Sequence, residues 1–331
     1  MINTIYIEKD VKNHHRTQKI LEKFPKLHKI YISHYGEIFN KKKQNFRLQK
    51  ENPSLVIAKK HNQFVLRTPQ NSGIIKNNLN FYFSHMYNCI YDCKYCYLQG
   101  LFSSANYILF VNYEDFFIEI ENVIKKNINK KITFFSGYDC DSLALESITN
   151  FISETIPLFR NYPNVTLEIR TKSSSIYPFS KITPSKNSII AYSLMPKKVS
   201  KILDIKTPSL DSRLQTIFRL SKEGWKIGLR FDPLIFYKNW EKEYYQLFSK
   251  IKDNLSPESI HSITFGSMRF SKKVYKTIEK SHPNEILFSS NLIENNNKIS
   301  YSENTSKLMF EFCNEQFSKF VGKEILFYEN F

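Results

Sequence analysis

The chain has 331 residues, with 48 Lys and Arg against 31 Asp and Glu for a formal charge of +17, and with 41% hydrophobic and 24% charged residues. That length suffices for one large α/β domain with appendages or for two ordinary domains, in either case with a sizeable core. No apolar run approaches the roughly 18 residues that a membrane span needs, and the N-terminus from Met1 to Asp10 lacks the basic region and apolar stretch of a secretory signal, so a cytosolic protein with no membrane partner is expected.

An excess of cations favours a polyanion, nucleic acid first, through phosphate contacts and counterion release. The alternative is a Lys- and Asn-rich composition set by an A- and T-biased genome, with the lysines spread over a solvated surface. The 20 Tyr and 28 Phe serve as core fillers, and any on the surface as base-stacking platforms. Five cysteines, Cys89, Cys93, Cys96, Cys140 and Cys313, make an odd count in a chain too large to depend on disulfides. Clustered thiols in a reducing compartment point to metal or catalysis.

In chain order, residues 1–80 hold a helix around Arg16 to Phe24, a basic segment from Asn40 to Arg47 that includes Lys41, Lys42 and Lys43, and short strand-like runs at 54–58 and 64–67. From Phe81 onward, β-branched and aromatic runs alternate with amphipathic segments. Strands are predicted near 81–84, 132–136, 165–171, 188–194, 226–231 and 260–266, and helices near 113–127, 143–156, 210–223, 239–253 and 271–281. The Asn-rich stretch Asn291 to Lys298 reads as an exposed loop, and Cys313 falls in a late helical stretch and reads as core. Six strands separated by helices predict a parallel sheet of βα units, either an open doubly wound sheet or a barrel. In both architectures ligands collect at the carboxyl ends of the strands. That rule selects the cysteine loop after the first strand, Ser136 to Ser142 after the second, Arg170-Thr171-Lys172 after the third, Ser193, Arg230 to Pro233, and Gly266 to Arg269.

The segment from Tyr87 to Leu98 places Cys89, Cys93 and Cys96 at C-x3-C-x2-C spacing, close enough for one loop to wrap a cluster. Three thiolates ligate three irons of a [4Fe–4S] cubane and leave the fourth iron open to a small molecule, whereas ferredoxin-type runs normally include a fourth cysteine. Zinc is the competing reading, with Cys140, Cys313 or His85 as fourth ligand, although zinc motifs usually pair two C-x2–4-C knuckles.

This motif after a first strand, with an aromatic beside the last cysteine, resembles the radical S-adenosylmethionine superfamily. Cys93-Lys94-Tyr95-Cys96-Tyr97-Leu98-Gln99 resembles the spore photoproduct lyase family, the DNA repair photolyase relatives. The likeness continues through Tyr35 to Asn40, Gln44 to Lys50, Asp141 to Glu146, Arg230 to Pro233 and Gly266 to Phe270. It implies an α/β fold: a partial (β/α)6 TIM-like barrel of radical SAM type over residues 81–282, an N-terminal α/β extension over 1–80 and a C-terminal helix–strand appendage over 283–331. It further implies a [4Fe–4S] cluster on Cys89, Cys93 and Cys96, S-adenosylmethionine as cofactor, and a 5′-deoxyadenosyl radical that acts on a pyrimidine lesion extruded from DNA. Extrusion of a lesion costs less than extrusion of a sound base.

Carried over position by position, the resemblance places Lys172 and Ser193 against the cofactor, with a barrel-rim role as the alternative. It puts Tyr97 beside the cofactor as an aid to hydrogen return, with Tyr95 as its neighbour, or both as packing around the cluster. Superfamily members often carry a Gly-Gly-Glu-like segment where this chain has Ser136-Gly137-Tyr138-Asp139, so Asp139 stands in for the glutamate. The hydrogen-donating cysteine of the lyases falls on Tyr138, with Cys140 the nearest thiol, either a donor or a small polar filler. The expected partners are nucleic acid, DNA first, with phosphates contacted by Lys41 to Lys43, Arg47 and Arg269, and a reductase or flavodoxin-type electron donor. The competing functions are radical modification of RNA or a small metabolite, and nucleic-acid binding with a structural or redox-sensing cluster.

Overall fold

The computed structural model of the chain describes residues 2–69, 78–289 and 292–329. The six predicted strands form as Leu79–Phe83, Ile132–Ser136, Val165–Thr171, Ser188–Ser193, Lys226–Leu234 and Ile260–Ser267, each parallel to its neighbour. They lie side by side in chain order. A doubly wound sheet reverses its strand order at a switch point; this one advances steadily in one direction, which is how a barrel wall is wound. Among the described residues the wall ends in Leu66–Arg67, antiparallel to the first strand, and Leu326–Glu329, parallel to the sixth. The architecture is a partial barrel, as expected.

The residues explain the wall. Every side chain of Ile132–Ser136 and of Ser188–Ser193 is buried, because helices cover one face of a parallel sheet and the barrel interior the other. The interior is not wholly apolar. Glu168 meets Arg230 at 2.7 Å, with both side chains 2% exposed, and Arg170 reaches the same carboxylate at 2.9 Å from the rim. Burial works against Glu168's charge, but the two guanidiniums outweigh it and hold its pKa down to about 2.

Helices Tyr113–Lys125, Leu210–Lys222, Trp240–Lys252 and Lys272–Ser281 stand where their periodicity predicts them. The segment 143–156 differs: it divides into Glu146–Thr149 and Phe151–Phe159, with Asn150 at φ 51° between them. The buried Glu146 carboxylate accepts the backbone N–H groups of Ile152 and Ser153 at 3.1 and 2.8 Å and so caps the second helix.

A second sheet sits beside the barrel, in the order His28–Ile32, Thr4–Glu8, Leu55–Ala58, Tyr107–Phe110, all parallel, with Met86–Tyr87 antiparallel at the edge. Its last two strands come from beyond residue 80, so the N-terminal layer is completed by the segment that also carries the cysteines. The run 64–67 reduces to Leu66–Arg67. At the other end the loop expected after residue 291 is instead a hairpin, Leu292–Asn295 with Lys298–Tyr301. Asn296 and Asn297, at φ 47° and 61°, supply the two left-handed residues that a tight hairpin turn requires; Asn291 lies outside the described residues. Cys313 is fully buried in the helix Glu303–Phe317. Among the described residues no helix is long and apolar enough to cross a membrane.

Candidate functional site

The loop after the first barrel strand is held from several sides. Asn88 adopts the left-handed conformation, φ 65°, which asparagine tolerates. Its side-chain amide donates to the carbonyls of Ser104 and Asn106, both at 2.7 Å. Asp92–Cys93 then pairs antiparallel with Asp204–Ile205, and the chain turns back as Cys96 N–H donates to the Cys93 carbonyl at 3.0 Å. The Gln99 amide donates to the same carbonyl at 2.8 Å. Outside the loop, Arg47 forks onto Asp92 at 2.6 and 3.0 Å, and the Lys50 ammonium donates to the Cys89 carbonyl.

Cys93 is buried and Cys89 and Cys96 half-buried, around a small cavity that Phe46, Lys50 and Gln99 also line. Burial pushes all three thiols up in pKa, so they ionise here only with compensating positive charge. Lys172, at the third strand end, is one source. Burial works against its charge, but the thiolate of Cys93 and the carboxylate of Asp204 outweigh that and hold it above its ordinary pKa. Among the described residues no three His, Cys, Asp or Glu side chains converge on a site for a single metal ion. The three thiols on one turn fit a cluster in which each takes its own iron.

Tyr95 and Ser193 join one buried network behind this loop. The Tyr95 hydroxyl donates to Asp204 at 2.5 Å. Asp204 pairs with Arg213 at 2.8 Å, with both side chains fully buried, and Arg213 donates to the Ser193 carbonyl at 2.9 Å. Lys172 lies over the Tyr95 ring, 5.4 Å from its centroid. Tyr95, Lys172 and the Ser193 carbonyl therefore lie together behind Cys93.

The second loop divides the contacts of its side chains, although Tyr138, Asp139 and Cys140 all lie near Tyr97. It begins with Gly137 at φ 71°, where a Cβ would stand 2.4 Å from the Ser142 hydroxyl, so only glycine fits. Tyr138 turns to the mouth: its ring is 6.0 Å from Tyr97 and 4.3 Å from Tyr82, and the Tyr97 hydroxyl donates to its carbonyl. Asp139 turns towards the N-terminal sheet, where Ser84 and Lys60 favour its charge while burial raises its pKa. Lys60 is itself pushed down to about 8 by burial, with Asp139 opposing. Cys140 packs into the apolar cluster of the N-terminal sheet, the one that holds Ile5, Met86 and Leu109. It is half-buried there, with Cys89 near enough to add to the rise in pKa that burial gives its thiol.

Asp141, which falls within the strand-end run Ser136 to Ser142 and within the family likeness without a role of its own, is the residue that holds this loop. Its carboxylate accepts from Leu143 N–H at 3.0 Å, Ala144 N–H at 2.9 Å, the Thr171 hydroxyl at 2.7 Å and Lys172 N–H at 2.6 Å, which locks the second strand end to the third. Nor does sequence pattern mark Lys50, Asp204 or Arg213, whose partners are distant in the chain. Two of the expected phosphate contacts, Arg47 and Arg269, are part-exposed side chains that pair with acids of this chain. Arg47 is engaged by Asp92, and Arg269 forks onto Asp232 at 2.8 and 3.2 Å and pairs with Glu329, so both guanidiniums brace the fold. Lys41, Lys42 and Lys43 are exposed.

A family model described as spore photoproduct lyase matches residues 1–319. Among curated proteins, the chain is similar to the spore photoproduct lyase of Bacillus subtilis (strain 168), 26% identical over 198 residues, which are 59% of this chain and 58% of that protein. It is also 26% identical to that of Clostridium acetobutylicum over 211 residues, 63% and 62% of the two chains. The matched region spans less than two thirds of either relative. Among solved structures, a spore photoproduct lyase variant with bound AdoMet and dinucleoside spore photoproduct superimposes with a TM-score of 0.84 at 17% identity, covering 100% of this chain and 99% of that one. The lyase complexed with dinucleoside spore photoproduct gives 0.83 at 18% identity, with the same coverage. At such identities the structural likeness is one of fold.

Proposed function

Because the chain belongs to the spore photoproduct lyase family, we propose that it is a radical S-adenosylmethionine enzyme that reverses a pyrimidine lesion in DNA. The observation that carries this reading is the set of three thiols on one turn at the mouth of a partial barrel, faced by Lys172. Cys89, Cys93 and Cys96 would hold a [4Fe–4S] cluster with one iron left for S-adenosylmethionine. When bound, that pair supplies a 5′-deoxyadenosyl radical once an external one-electron donor, a reductase or a flavodoxin-type protein, provides an electron.

The chain's own residues do the rest. Lys172 offsets the charge of the Cys93 and Cys96 thiolates, and with Ser193 it is the proposed cofactor contact. Tyr95, through Asp204 and Arg213, fixes the loop rather than exchanging hydrogen, because its hydroxyl is committed to a buried carboxylate. Asp139 belongs to the seam with the N-terminal sheet. Hydrogen return to the product falls to the Tyr97–Tyr138 pair at the mouth and not to Cys140, which packs into the layer behind.

The test is anaerobic turnover of deuterium-labelled dinucleoside spore photoproduct by the reconstituted protein. Deuterium should appear in 5′-deoxyadenosine as the lesion reverts. Deoxyadenosine formed without label, and with the lesion intact, would refute the lesion as substrate and favour RNA or a small metabolite.

A further inference from the structure

The cysteine loop has two sides, and only one belongs to the mouth. Lys172, Tyr97 and Tyr138 lie on the barrel side. The opposite side is covered by the helix Phe46–Glu51, which meets the loop through Arg47 on Asp92 and Lys50 on the Cys89 carbonyl. This helix is joined to the segment behind Cys93: the Lys206 ammonium donates to the Lys50 carbonyl at 3.1 Å, and Lys206 follows the strand that pairs with Asp92–Cys93. Around this junction lie exposed cations, Lys41, Lys42 and Lys43 on the turn before the helix and Lys201 and Lys206 beyond it. Within the patch two large apolar side chains face solvent, Leu48 at 63% and Ile202 at 54% exposure. Glu51 is the one acid on the first helix, and the helix Lys197–Leu203 has none.

We infer that this face is the docking surface for an acidic one-electron donor protein. The inference rests on the cluster reading above and names the route by which its electron arrives. Electron transfer weakens steeply with distance, so a donor must approach the thiols closely while leaving the mouth free for cofactor and lesion. This face meets both demands: the cavity lined by all three cysteines is bordered on this side by Phe46 and Lys50. Its make-up, exposed Leu48 and Ile202 on two helices whose exposed charges are lysines apart from Glu51, suits the small, transient, electrostatically steered contacts of redox partners. The lysine excess here therefore serves protein association, while lesion recognition belongs to the mouth on the other side of the loop.

The test uses the anaerobically reconstituted full chain and a reduced flavodoxin as the acidic probe. Two charge-reversal variants cover the face, Lys41→Glu/Lys42→Glu/Lys43→Glu and Lys201→Glu, the second leaving the Lys206 contact with the Lys50 carbonyl in place. A third, Lys130→Glu/Lys131→Glu, reverses charge at the start of the second barrel strand, at the other end of the wall. Association measured by stopped flow should slow on the order of tenfold or more in each face variant, with most of the salt dependence lost, and stay unchanged in the third. Deoxyadenosine formation driven by dithionite, which needs no docking, should match the unaltered protein in all three. Unchanged flavodoxin association in the face variants overturns the inference, as does loss of lesion-DNA binding with flavodoxin association intact, which would assign the face to nucleic acid. If the unaltered protein makes no deoxyadenosine with dithionite, the cluster reading fails instead, and that outcome is distinguishable because association is read separately.

Discussion

Two loops share the barrel mouth, and they are organised on opposite plans. The cysteine loop sets its three cysteines around one cavity and is braced from without, by Arg47 on Asp92, Lys50 on the Cys89 carbonyl, and Tyr95 through Asp204 to Arg213. The Ser136–Ser142 loop hangs instead on the single carboxylate of Asp141, which ties it to Leu143, Ala144 and the third strand end, and its side chains divide between Tyr82 and Tyr97, Ser84 and Lys60, and the apolar cluster of the N-terminal sheet. Ligands of one cluster must meet at one locus, so their spacing is constrained along the chain. Residues that serve separate neighbours carry no such constraint.

The comparison breaks first, if it breaks, at the braces. Asp204→Ala strands the fully buried Arg213 and should cost about 3–5 kcal/mol of stability, read by chemical denaturation, with loss of bound iron. A cost below about 1 kcal/mol would mean that the network does not hold the loop. Asp141→Ala removes four hydrogen bonds at once, two of them from the third strand end, and should cost about 2–3 kcal/mol; since the braces of the cysteine loop itself remain, iron content should survive in the folded fraction.

Acid sharpens the contrast between buried carboxylates. Glu168 is held down from 4.5 to about 2 by its guanidiniums, so its contribution to stability is fully present above about 4.5 and is lost as the pH falls towards 2. Burial raises the pKa of Asp141, so its ionisation costs stability as the pH rises and gives none to lose in acid. Glu168→Gln should flatten the acid limb of the stability curve, and Asp141→Asn should leave it standing; the reverse result would contradict the assignment. The smallest effect is expected at Cys140. Cys140→Ala should cost about 1 kcal/mol as a packing loss and leave the product distribution unchanged, while Tyr138→Phe diverts the product radical into side products, checked by chromatography of the dinucleotide products.

The legible parts of the molecule were those with local rules. Period-2 and period-3.6 patterns placed all six barrel strands and most of the helices, and the thiol spacing placed the candidate cluster. The strand-end rule also selected Lys172 and Ser193, which lie near Cys93 through Tyr95, Asp204 and Arg213. What stayed hidden depends on partners far apart in sequence. Arg47 and Arg269 read as free cations until Asp92, Asp232 and Glu329 stand beside them. Thr4–Glu8 becomes a strand because two neighbours flank it. The Asn-rich stretch reads as a loop because its composition suits a turn, although the turn is only its tip. For Cys140 the strand-end rule gives the loop but not its contact with the apolar cluster of the N-terminal sheet, because strand-end position does not say which way a side chain faces.

The central claim is that Cys89, Cys93 and Cys96 carry a cluster that opens S-adenosylmethionine by one electron. It is tested most directly by quantifying 5′-deoxyadenosine from the anaerobically reconstituted protein with S-adenosylmethionine and dithionite, beside Cys93→Ala and Cys140→Ala. The account predicts about four irons per chain and deoxyadenosine from the unaltered protein and Cys140→Ala, with none from Cys93→Ala. Zinc without iron–sulfur absorption, or deoxyadenosine undiminished in Cys93→Ala, would contradict it.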